Sequence, residues 1–212
     1  MRRYWKVEHT IVLFVIIGIA LLLMPFSLTN TRQANFISKW NERYNKADYM
    51  FQVIRTHITD DIIKSFENAK DSDERTKLML QLIKPYLRVN TGKSVPRQYR
   101  PKYMNKARPF KGQLYYFDEF YFTENNGIVG IKDIETSISD NNPDFMLMFD
   151  INGLLPPNRW GKDIFGINIY HDGKIEPLGY GMSMDELKKD CSHTGTGVSC
   201  SYYYKIGGGF EE

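Results

Sequence analysis

The chain has 212 residues, a net charge of +3 and 25% charged residues. This balance is that of an ordinary globular domain, and it excludes a partner selected by bulk charge alone. The length leaves one domain rather than two once an N-terminal anchor is set aside, and two cysteines allow at most one disulfide.

The stretch 10–26 is the only long run without a charge. As a helix its 17 residues extend roughly 25 Å, a little short of a ~30 Å hydrocarbon core, so Trp5, Lys6 and His9 are expected at the interface. A secretory signal peptide has a similar outline. No small-x-small cleavage site follows, however, and the run continues through Pro25 and Phe26 into helix-compatible sequence, so it reads as an anchor. Arg2, Arg3 and Lys6 precede it with only Glu8 opposing them. Basic flanks stay inside, which puts 1–9 in the cytoplasm, 10–26 across the membrane, 27–58 in the emerging helix and 59–212 in an extracytoplasmic domain.

Beyond the run, Phe36, Ile37, Trp40, Tyr44, Ala47, Phe51, Ile54 and Ile58 follow one another at steps of mostly three and four, the stripe of an amphipathic helix. The stripe needs a cover, and the following domain supplies it. Asp71 or Ser72 with Asp73 and Glu74 marks a second helix start; Leu78, Met79, Leu82 and Ile83 share a side of that helix, and Pro85 is expected at its end. From 88 to 111 eight basic residues occur without an acidic one. Arg97, Arg100, Lys102, Lys106 and Arg108, interleaved with Tyr99 and Tyr103, are the candidates for a groove that holds nucleic acid or another polyanion. The competing reading is an exposed linker facing acidic patches elsewhere, since no base-reading motif is present. Short aromatic and β-branched runs then predict an antiparallel sheet with strands at 114–122, 128–131, 145–149, 164–170 and 174–175, with turns at Asn125-Asn126-Gly127 and His171-Asp172-Gly173. Cys191 and Cys200, on the outer side, are expected to close a short loop; a metal site built on them and His193 lacks a fourth ligand. The fold class is therefore α+β, a long first helix packed on a small C-terminal antiparallel sheet.

Glu8 and Pro25 lie 17 residues apart. Towards the C-terminus come Asp150-Ile151-Asn152-Gly153, then Pro157-Asn158-Arg159-Trp160-Gly161-Lys162-Asp163-Ile164-Phe165, Asp172-Gly173, Pro177-Leu178-Gly179 and the cysteine pair. These features resemble the type IV pilins and type II secretion pseudopilins, over roughly a third of the chain. In that register Arg3 and Tyr4 stand where the family has glycine and phenylalanine around its cleavage site, and Gly18 falls one residue late. The resemblance implies a subunit stored in a bacterial inner membrane and assembled through its first helix with copies of itself or other pilin-like subunits. It implies no small-molecule substrate. Glu8, Gly18 and Pro25 are then the assembly residues, with Glu8 pairing a neighbour's N-terminal amine; the alternative for Glu8 is an interfacial residue paired with Arg2, Arg3 or Lys6.

Asp150, Asn152 and Asp163 surround a Gly-containing turn, and Asp-x-Asn-Gly opens some calcium loops. Leu155, Pro157 and Gly161 break the rest of that pattern, so the expected role is a turn tied by side-chain to backbone bonds that presents Trp160 and fixes the sheet edge, with calcium as the alternative. Catalysis finds no support: His9, His57, His171 and His193 have no nearby nucleophile, and no phosphate loop or metalloprotease signature occurs. Two readings stand: a pilin-like structural subunit, and a membrane-tethered module that never polymerises and holds a polyanion with 88–111.

Overall fold

The computed structural model describes residues 7–57, 60–134 and 142–209. The fold is mixed α+β, built on a six-stranded antiparallel sheet whose strands lie in chain order. They are β1 (Asn90–Ser94), β2 (Glu119–Phe122), β3 (Ile128–Asp133), β4 (Pro143–Asp150), β5 (Ile164–Tyr170) and β6 (Ile175–Pro177). Helices α1 (Val7–His57), α2 (Asp60–Glu67) and α3 (Ser72–Leu87) precede the sheet, and α4 (Met184–Asp190) and α5 (Cys200–Lys205) follow it.

Period-two alternation sends the side chains of the central strands to two different cores. Val129, Phe149 and Phe165 sit opposite one another across β3, β4 and β5, as do Ile131, Leu147 and Ile167. All six are buried in the core that also receives α1, α3 and α5. The intervening residues Ile128, Met146, Met148 and Ile164 enter a second core with Tyr99, Phe117, Trp160, Leu178 and Val198. Gly130 and Gly166 flank Met148 on that face. A Cβ on Gly166 would stand 2.6 Å from Leu178 and 3.1 Å from Trp160, and one on Gly130 would stand 3.0 Å from Phe117. Glycine at these two places lets the loop cover lie directly on the sheet.

On α1 the stripe is buried at Phe36, Trp40, Ala47, Phe51 and Ile54, joined by Met50, while Ile37 and Tyr44 are half-buried and Ile58 lies outside the described residues. Trp40 is fully buried, stacks on Phe165 at 5.0 Å and 16°, and donates its indole N–H to the Ser201 carbonyl at 2.8 Å. Asp71 caps α3, its carboxylate accepting from the Glu74 N–H at 2.8 Å. That helix does not stop at Pro85. It runs on to Leu87 and closes through the Arg88 N–H on the Lys84 carbonyl, so the one bond Pro85 cannot donate is lost without ending the helix.

Two strand expectations need correction. Residues 114–118 are not strand: the Gln113 N–H bonds the Phe110 carbonyl and the Tyr116 N–H bonds the Gln113 carbonyl, successive turns that Lys132 Nζ fixes by donating to the carbonyls of Gln113 and Tyr116. Within 88–111, β1 pairs with β2, so part of that segment is sheet edge rather than linker. The strand at 174–175 is instead Ile175–Pro177.

Candidate functional site

The first region of interest is the N-terminal part of α1. Ile11, Val12, Leu13, Phe14, Val15, Ile16, Ile17 and Ile19 are all exposed, from 42% at Leu13 to 69% at Phe14. Consecutive residues of a helix point to all sides, so this is an apolar rod without a polar face. Gly18 leaves a notch in it, with nothing within 4 Å of where its Cβ would stand. Glu8 and Pro25 fall within α1, but their side chains lie outside the described residues, as do Trp5, Lys6 and the whole of 1–6. Among the described residues no helix is long and apolar enough to cross a membrane; the uncharged run continues over 21–26 into side chains that lie outside them.

The second region is a junction of three loops beneath the second core. The Lys102 N–H donates to the Asn158 carbonyl at 3.0 Å and the Trp160 N–H to the Lys102 carbonyl at 2.9 Å, while the Met104 N–H reaches the Thr196 carbonyl at 2.8 Å. Segment 102–104 thus stitches the β4–β5 connection to the loop closed by the Cys191–Cys200 disulfide. Two carboxylates hold the connection. Asp150 accepts from the Tyr99 hydroxyl at 2.7 Å and from the N–H groups of Gly153 and Asn152 at 2.8 and 3.2 Å. Asp163 accepts from the N–H groups of Arg159 and Asn158 at 2.7 and 2.9 Å. Burial, and then the charge of Asp163, push Asp150 well above the ordinary carboxylate range despite these donors, and burial pushes Asp163 up as well.

Asp150 and Asp163 therefore come together as the acceptors that tie a turn, while Asn152 only donates, its backbone N–H to Asp150 and its amide to the Pro156 carbonyl at 3.4 Å, and its Oδ1 is buried without a partner among the described residues. Both carboxylates are already engaged by N–H donors, and among the described residues no group of three His, Cys, Asp or Glu is placed to hold a metal ion. Trp160 is presented inward, fully buried against Tyr115 and Phe117, and the connection joins inner strands rather than fixing a sheet edge.

Asp190 organises the disulfide loop. Its carboxylate accepts from the N–H and hydroxyl of Thr196 at 2.8 and 2.6 Å and from the N–H and hydroxyl of Ser199 at 2.9 and 2.7 Å. Burial alone would raise its pKa, but these donors hold it below the ordinary value. No sequence signal marked this residue beyond its place beside Cys191.

Four of the five basic candidates divide over two open clefts, and Lys106 lines neither. Arg100, Lys102 and Arg108 line one of about 400 Å³ with Leu154, Pro156 and Pro157 and no acidic residue. Arg97 and Arg100 line its neighbour of about 330 Å³, which also holds Asp118 and Glu119. Among the described residues none of Arg97, Arg100, Lys102, Lys106 and Arg108 forms an ion pair. Arg159 and Lys162, which sequence reasoning left out of the basic set, lie close to Lys106; burial, then Arg159, pull the Lys162 pKa down, with Lys106 adding to the effect. Tyr99 cannot serve as a stacking platform as expected, being buried with its hydroxyl on Asp150; Tyr103 is half-buried and edge-on to Tyr115. Helix α1 buttresses the junction, Arg32 donating to the Pro156 carbonyl at 2.6 Å and Gln33 to the Gly161 carbonyl at 3.3 Å. No family model matches the chain, and neither a curated protein nor a solved structure matches it.

Proposed function

We propose that the chain is a pilin-like structural subunit of a type IV pilus or type II secretion pseudopilus. Its 10–26 segment is held in a bacterial inner membrane, with the N-terminus cytoplasmic and the domain outside, and it assembles through α1. The observation that carries this reading is the rod of eight exposed apolar side chains at 11–19. At roughly 1–1.5 kcal/mol for each half-exposed side chain, keeping them in water costs on the order of 10 kcal/mol, as much as the whole net stability of a typical domain. The rod therefore needs an apolar surround. Lipid and the rods of sister subunits are equivalent surrounds, so transfer from one to the other need not expose it to water.

The test is Glu8→Leu in cells. Membrane insertion stays intact and assembly into sheared surface filaments is abolished; unchanged assembly removes Glu8 from the mechanism. Cross-linking between copies through 11–23 separates this reading from that of a monomeric tethered module, for which the acid-free cleft of Arg100, Lys102 and Arg108 is the supporting observation.

A further inference from the structure

The acid-free cleft has a position as well as a charge. Arg32, which bonds the Pro156 carbonyl, is six residues beyond Phe26, where the 10–26 stretch ends. Along a continuous helix that is about 9 Å, just beyond a headgroup layer of roughly 5–8 Å. The loop it holds carries Leu154 and Leu155, 45% and 66% exposed, followed by Pro156 and Pro157. Two exposed leucines, the first of them in the wall of the cleft that Arg100, Lys102 and Arg108 line, are poor for water and well matched to an interface, where apolar tips enter the acyl boundary and cations meet phosphates. An acidic protein partner would use the cations but leave the leucines without a purpose. A free nucleic acid would do the same, and Tyr99, the ring in the wall of the cleft, is buried with its hydroxyl on Asp150.

We infer that the 154–157 loop docks on the outer surface of the membrane that holds α1, with Leu154 and Leu155 in the interface and Arg100, Lys102 and Arg108 on the phosphodiester headgroups of anionic lipids. This rests on the reading of 10–26 as a membrane anchor. The docked loop holds the domain at a fixed height and tilt while the subunit is stored, and it must let go before the subunit enters a filament.

The experiment places Leu155→Trp in the full chain, reconstituted in bilayers containing brominated lipids, and follows the emission added over that of the unsubstituted chain. In bilayers rich in phosphatidylglycerol the added emission is blue-shifted and quenched; in purely zwitterionic bilayers, or with Arg100→Gln and Arg108→Gln together, it returns towards that of a water-exposed indole. A cation near an anionic surface shifts such an equilibrium about fivefold, so the double substitution lowers the ratio of docked to undocked loop about thirtyfold. An unquenched Leu155→Trp signal in anionic bilayers, with the chain resisting alkaline extraction, overturns the docking and leaves the anchor standing. Release of the chain by alkaline extraction overturns both. A DNA duplex that displaces the loop from anionic bilayers, and is bound by the chain in zwitterionic ones, overturns the lipid assignment in favour of nucleic acid.

Discussion

Replacing Trp40 by alanine tests whether α1 is fused to the sheet strongly enough to carry load from one to the other. Trp40 has no exposed surface, stacks on Phe165 at 5.0 Å and meets Tyr44 edge-on at 5.8 Å. Truncating a buried indole costs about 3–5 kcal/mol, and the lost 2.8 Å bond to the Ser201 carbonyl falls within that figure. Phenylalanine at the same place keeps most of the stack and loses the N–H, leaving a buried carbonyl short of a donor, which costs about 1–2 kcal/mol. The assay is urea unfolding of the full chain in detergent micelles, followed by near-ultraviolet circular dichroism, with the midpoint difference multiplied by a common slope. Trp40→Ala is expected to lose about 4 kcal/mol and Trp40→Phe about 1–2 kcal/mol. An alanine variant within about 0.5 kcal/mol of the unsubstituted chain refutes the reasoning, since cores do not tolerate such a loss of volume. So does a phenylalanine variant as damaged as alanine, because the ring stack would then not be the source of the energy.

Two further outcomes follow from the junction. Replacing both cysteines by serine opens a loop whose ends are nine residues apart in sequence and lowers stability by about 2.7 kcal/mol on the chain-entropy estimate, read as a midpoint shift that added reductant reproduces in the unsubstituted chain. Asp150 is raised in the folded state, so its contribution is fully present below the ordinary carboxylate pKa and lost as pH rises through the higher folded value. Asp150→Asn, which keeps an acceptor for the Gly153 and Asn152 N–H groups, therefore flattens the fall in midpoint on the alkaline side; an unchanged slope removes Asp150 as its source. The midpoint is expected to ignore both calcium and chelator, because the carboxylates of Asp150 and Asp163 already accept N–H bonds.

Strong periodicity made part of this fold legible. The apolar runs at 145–149 and 164–169 are short and almost unbroken, as in strands buried on both faces, and the 36–54 stripe keeps helical spacing, so β4, β5 and the buried face of α1 could be placed from residues alone. Met50 escaped because the face that meets the sheet is wider than a single stripe. β1 carries no apolar residue and every position in it is exposed, so an edge strand of Asn, Thr, Gly, Lys and Ser gives no periodic signal at all. The aromatics at 115–117 mimicked a strand, whereas Tyr115 and Phe117 pack against Trp160 as cover. α4 did have a local signature, the Ser183 and Glu186 capping box, and it went unread. At the junction the pattern of residue types indicated a tied turn. The partner of Asp150 was beyond reach, since Tyr99 lies 51 residues earlier and only the folded chain brings the two together.

The meander has a consequence for the order in which the chain folds. Each strand pairs with the one just before it in the chain, so every newcomer finds its neighbour already waiting and the sheet can zip in the order of synthesis. Trp40 is the exception. The carbonyl that receives its indole belongs to Ser201, 161 residues later, so its pocket stays open until almost the whole chain has emerged. A product truncated before Ser201 is thereby left with the Trp40 indole N–H unpaired, and the tie between the first helix and the last closes only once that residue is made.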